Sequence, residues 1–239
     1  MDGMEWIDRL ELFSAADAIG FVLLIAMWLG STWIIEHAPK RYPSMSQLMA
    51  GYRREWMVQF LTRQPRIYDG QIISSLRQGT AFFASASMIA IGGGFALLGN
   101  AERLRGVAQD LTLESDPVIL LEIKLVLLLV LAANAFLKFV WSHRLFGYCS
   151  VLMSAVPNEV DDHRAVPMAL QAAESNSTAG RGDNRGLRSV YFGIASSAWL
   201  LGGGALIIAT LLTTAVVLRR EFASHSRHVL LHGAPDAKT

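Results

Sequence analysis

Val118-Ile-Leu-Leu-Glu-Ile-Lys-Leu-Val-Leu-Leu-Leu-Val-Leu-Ala-Ala-Asn-Ala-Phe-Leu-Lys-Phe-Val140 is the stretch that decides the fold. A bilayer core of about 30 Å is crossed by about 20 mostly apolar helical residues, and this run is long enough while carrying only Glu122, Lys124 and Lys138 as charges. Three further runs meet the same rule without any charge: residues 18–35, 80–98 and 190–218. The reading is an all-α integral membrane four-helix bundle, with an extracytoplasmic N-terminus at 1–17, a four-span domain at 18–218 and a disordered tail at 219–239. The last run exceeds a perpendicular crossing, so it is expected to tilt or project.

Composition agrees with that reading. Of 239 residues, 52% are hydrophobic and 17% charged, with a mean hydropathy of +0.35; soluble domains carry about 25% charged residues. Lys plus Arg is 21 against 20 for Asp plus Glu, so there is no field to attract nucleic acid. A single cysteine, Cys149, excludes a disulfide scaffold and reads as packing. The first seventeen residues are acidic where a cleaved leader would be basic, so the first run reads as a retained span.

Basic residues orient the spans. The first connection holds Lys40, Arg41, Arg53, Arg54, Arg63, Arg66 and Arg77, and the third, from Trp141 to Ser189, holds five arginines. Both are therefore assigned to the cytoplasm, with both termini outside. Arg219, Arg220 and Arg227 oppose this, because they follow the last span.

Ser44 and Gln47 form a capping-box pattern ahead of Leu48, Met49, Tyr52, Trp56, Phe60 and Leu61 at helical spacing. This predicts a cytoplasmic amphipathic helix, and two placements stay open: in the inner headgroup layer, or packed on another cytoplasmic segment. Asp69 is expected to cap the next helix. Asp116-Pro117 is expected to start the third span, which runs to about Met153 and stops before Pro157. Residues 174–183 read as a flexible linker. An internal repeat is one reading of Leu76-Arg77 before Gly92-Gly93-Gly94 and Leu187-Arg188 before Gly202-Gly203-Gly204, reinforced by Trp33 with His37 and Trp141 with His143; chance similarity between apolar helices is the other.

Small residues let membrane helices approach closely. Gly79, Ala84, Ser87, Gly93 and Gly94 on the second span are thus expected to meet Gly193, Ser197, Gly203 and Gly204 on the fourth. A broken, substrate-binding helix is the alternative. Within the third span, Glu122 and Lys124 are expected to snorkel. Asn134 and Lys138 are the candidate intramembrane polar residues. His37 and His143 are the haem candidates, although both sit at span ends and no metal or cofactor is expected.

Several stretches carry a family resemblance. Arg53-Arg54-x-Trp56-Met57, Arg66-Ile67-x-Asp69, Leu76-x-x-Gly79-Thr80-Ala81-Phe82-Phe83-Ala84-Ser85, Ser142-His143-Arg144-Leu145-Phe146-Gly147-Tyr148-Cys149-Ser150 and Asn184-Arg185-Gly186-Leu187-Arg188-Ser189-Val190-Tyr191-Phe192 resemble the bacterial branch of the family named domain of unknown function 599. The resemblance implies a multi-span membrane protein without an established activity. Clustering of these blocks on the cytoplasmic side suggests an inner-leaflet site for lipid phosphate built from Asp69, Arg77, His143, Arg144, Arg185 and Arg188. The functional expectation is a non-enzymatic accessory or assembly subunit. Its expected partners are membrane lipids and either further copies of itself or other membrane subunits. The alternatives are a small transporter or channel and a haem-binding membrane protein.

Overall fold

A computed structural model describes residues 12–103, 106 and 117–232, with only the backbone of the last. The acidic N-terminal residues 1–11, the Asp116 cap and residues 233–239 of the tail lie outside the described residues. Within the described residues there are helices and no strands. The elements are α1 (Ala15–Glu36), α2 (Met45–Phe60), α3 (Ile67–Leu98), α4 (Val118–Ala155), α5 (Ala165–Ser197), a short 3₁₀ turn (Ala198–Leu201), α6 (Gly203–Phe222) and α7 (His225–His232). Of these, α1, α3 and α4 are long and apolar enough to cross a membrane. Their outward residues include Phe82 (68% exposed), Ile89 (76%) and Val22 (65%), apolar area that lipid would cover.

The chain forms two compact units. The first contains residues 1–33, 87–134 and 188–218; the second contains 34–86, 135–187 and 219–239. The core of the first gathers Leu24, Leu127, Leu131, Phe192, Trp199 and Leu206. Helices approach closely here: a Cβ on Gly20 would touch Leu206, one on Gly94 would strike Leu129, and one on Gly203 would lie 2.6 Å from the Ala16 backbone. The expected seam between the second and fourth spans is therefore replaced by contacts of each with α1 or α4. Gly79, Gly92, Gly93 and Gly204 have open space beside them.

The fourth apolar run is not one helix. α5 stops at Ser197, the chain turns through the 3₁₀ residues, and Gly202 takes φ +110°, ψ 165° before α6 begins. That conformation is one only glycine adopts without strain. The broken-helix alternative describes the geometry, and the single span over 190–218 does not.

The second unit packs Met57, Phe60, Ile73, Phe146, Cys149 and Met153 with a row of alanines from α5. The capping box forms as expected: Ser44 Oγ accepts from the Gln47 amide, while the Gln47 side chain accepts from the Ser44 amide. Met57 and Phe60 of α2 are buried in this core, which is the packed alternative for the amphipathic helix. α4 ends at Ala155, close to the expected stop.

Residues 174–183 are helix, not linker. Alanine has the highest helix propensity, and Ala169, Ala172, Ala173 and Ala179 bury one face of α5. α5 runs antiparallel to α4. The Cys149 thiol donates to Ala172 O (3.4 Å), Ser175 Oγ donates to Leu145 O (3.0 Å), and Gly182 and Gly186 admit Ser142 and Phe139.

The tail expectation also changes. Residues 219–232 are folded back onto the α1–α2 connection and α2. Glu221 accepts from the Ser46 amide and hydroxyl (both 3.0 Å), Tyr42 donates to Phe222 O (3.0 Å), and Arg227 lies 4.1 Å over the Tyr42 ring while donating to Pro43 O (2.9 Å). Aromatic stacking and a cation–π contact give this polar stretch a folded partner.

Candidate functional site

Each unit holds a buried polar centre around an aspartate, Asp17 in the first and Asp183 in the second, and the two are built differently. In the first, Asp17 opens α1. Its Oδ2 accepts from the Ser14 amide (3.0 Å) and hydroxyl (2.6 Å), and Ser14 Oγ accepts from the Asp17 amide. Its Oδ1 accepts from Trp199 Nε1 at 2.6 Å, tying the start of α1 to the turn before Gly202. Lys124, 3% exposed, interacts electrostatically with the same carboxylate. Lys124 therefore does not snorkel: an acid on a neighbouring helix compensates it in place. A cavity of about 360 Å³ opens alongside, lined by Phe13, Phe21, Val22 and Ile123.

In the second unit four helices contribute to a polar level. Thr80 of α3 hydrogen-bonds Asp183 of α5, and Arg53 of α2 faces the same carboxylate. The guanidinium of Arg53 lies against Gly180, where any Cβ would collide with it. Burial pushes the Asp183 carboxyl up and the Arg53 guanidinium down from their ordinary ranges, while each opposes the other's shift. One turn from Thr80, Arg77 donates toward His143 Nε2 (3.4 Å), and His143 Nδ1 faces Arg77 O (3.2 Å). An Nδ1–H donating to that carbonyl leaves Nε2 as the acceptor.

Several polar atoms at this level have no partner. Asn176 is 0% exposed and uses neither end of its carboxamide; Ser142 Oγ, Arg77 Nε and Asp183 Oδ1 are also buried and unpaired. Asn176, Gly180 and Asp183 recur at four- and three-residue steps on α5, so they share one face. Sequence reasoning missed Asn176 and Asp183 because it took their segment for a linker; the spacing was the available signal.

The six residues of the expected lipid-phosphate site do not meet. Asp69 does not cap α3: its Oδ1 accepts from Trp56 Nε1 (2.6 Å) and from Arg63. Arg185 is bound to Glu36, which holds the guanidinium above its ordinary range. Arg188 is buried and donates to Thr32 (3.1 Å). Arg144 lies on the surface against Tyr148. Only Arg77 and His143 of the six reach the polar level. Asn134 accepts from Ser189 (3.1 Å), as an interhelical hydrogen bond, and Lys138 is half-buried on α4. With both His143 nitrogens facing Arg77, the His37/His143 haem pair lacks a free second ligand in this arrangement.

Three helices long and apolar enough to cross a bilayer, with large apolar side chains left exposed along them, are the features of a helical membrane protein. A family model described as "Protein of unknown function, DUF599" matches residues 19–226, and the chain belongs to that family. No curated protein and no solved structure matches it.

Proposed function

We propose that the chain is a non-enzymatic subunit of an inner-membrane assembly that joins its partner, a second copy of itself, through the outer face of α3. The observation carrying this reading is the row Gly79, Phe82, Ala86, Ile89, Gly93 and Ala96. All six are exposed, with Phe82 and Ile89 set between small residues at the three- and four-residue steps by which helices interlock. Native mass spectrometry from nanodiscs tests it. The wild-type chain is expected as an oligomer and Gly93→Trp, at a position with open space, as a folded monomer. A wild-type chain that is strictly monomeric with no companion overturns the reading.

The contacts of residues 219–232 support a revised sidedness. They share the second unit with the arginine-rich connections, so the C-terminal arginines fit the cytoplasmic face and only the N-terminus fits the outside. The fourth apolar run then enters on α5 and returns on α6, giving five passes. Cysteine labelling at exposed His225 and at Leu12 distinguishes the faces.

Transport is the second reading, favoured by the break at Gly202 and by the unpaired polar atoms beside Asp183. Flux into reconstituted vesicles that is abolished by Asp183→Asn supports it; no solute-dependent flux removes it.

A further inference from the structure

The unpaired atoms of the second unit's polar level carry an inference that stands independently of the assembly. Native interiors pair nearly all their buried polar groups, and each unpaired one costs the desolvation it has not recovered. Asn176, Ser142, Arg77 and Asp183 concentrate such atoms on three neighbouring helices. The unused groups are of two kinds. Arg77 Nε, the Asn176 amide and the Ser142 hydroxyl are donors; Asp183 Oδ1 and Asn176 Oδ1 are acceptors. Arg53 faces the carboxylate of Asp183, whose charge burial disfavours, with Arg181 in electrostatic range of Arg53, and Arg77 lies one turn of α3 from Thr80. A cation therefore meets an excess of positive charge, and an apolar ligand leaves every atom unpaired. Gly180 and Gly147 remove side-chain bulk beside the two guanidiniums, at Arg53 and Arg77 respectively.

We propose that this level is a binding site for a protonated phosphate-type oxyanion. The donors and guanidiniums hold its charged oxygens, and Asp183 Oδ1 accepts from its remaining P–OH. The ligand is either free phosphate or the phosphomonoester headgroup of a lipid. His143 holds the Arg77 guanidinium from one side and is a positioning residue. The arginine–acid pairs Arg185 with Glu36 and Arg63 with Asp69 lie outside the set, although Asp69 Oδ2 is itself buried and unpaired.

The test is thermal unfolding of the purified full chain in neutral detergent and in nanodiscs. Inorganic phosphate at about a hundredfold excess over its Kd is expected to raise the midpoint by about 5 °C, and sulfate, which lacks the proton at neutral pH, by much less. Arg53→Gln and Arg77→Gln are expected to weaken binding about tenfold or more. Ser142→Ala keeps the fold testable because its hydroxyl has no partner to lose, and it is expected to weaken binding several-fold. If only nanodiscs containing phosphatidic acid give the shift, the headgroup is the ligand; if free phosphate does, the ion is. Equal shifts with sulfate and phosphate, or shifts untouched by Ser142→Ala and by both arginine variants, overturn the proposal, as does the absence of any shift in both media.

Discussion

The polar centre of the first unit and that of the second contain similar groups, an aspartate beside a cation among helices, yet they differ in completeness. Around Asp17 every carboxylate oxygen is engaged: the helix start, Trp199 and Lys124 saturate it. Around Asp183 one carboxylate oxygen and the side chains of Ser142 and Asn176 are buried and unused. A saturated buried cluster holds a fold together, because removing one member strands the others. An unsaturated one costs stability as it stands, which marks it as a place kept for something else.

Mutations should separate the two. Asp17→Ala is expected to have the largest effect, about 3–5 kcal/mol, because buried Lys124 loses the opposing charge of Asp17 and Trp199 loses its acceptor; steric trapping in bicelles reads it directly. Gly203→Ala comes next at about 1–3 kcal/mol, since the new Cβ lies 2.6 Å from backbone atoms of Ala16 and Asp17 that have nowhere to go. In the second unit, Ser142→Ala is expected to change stability by less than about 1 kcal/mol without ligand. A loss there as large as that of Asp17→Ala would erase the distinction between the centres. The smallest effect is the pH response of Asp183. Its folded carboxyl titrates above the unfolded value, so its contribution is full below the unfolded pKa and is lost as pH rises through the raised one. Denaturation midpoints measured from pH 3 to 7 should show a shallower decline in Asp183→Asn than in the wild type.

Much of the fold was legible because it follows from local chemistry. The presence of α1, α3 and α4 follows from apolar runs of bilayer-spanning length, the start of α2 from Ser44 and Gln47, and the end of α4 from the residues before Pro157. α5 was illegible because its stability is tertiary: glycines, serines and asparagines that promise little in isolation become a helix once α4 lies against them. The reversal at Gly202 hides inside a uniformly apolar run, since hydropathy is blind to the sign of φ. The arginines of the expected lipid-phosphate site were grouped only by their expected sidedness, and sequence alone could not show that Glu36, Thr32 and Tyr148 engage three of them.

The fold-back of residues 219–232 onto the α1–α2 connection bears on how the molecule is made. Ser46, Tyr42 and Pro43 are translated long before Glu221, Phe222 and Arg227, and they wait for those partners while the intervening helices are made. Closure of the second unit is thus a late event in synthesis. A nascent chain stalled at Leu218 would carry the four apolar runs and still leave Tyr42, Pro43 and Ser46 unlatched and protease-sensitive.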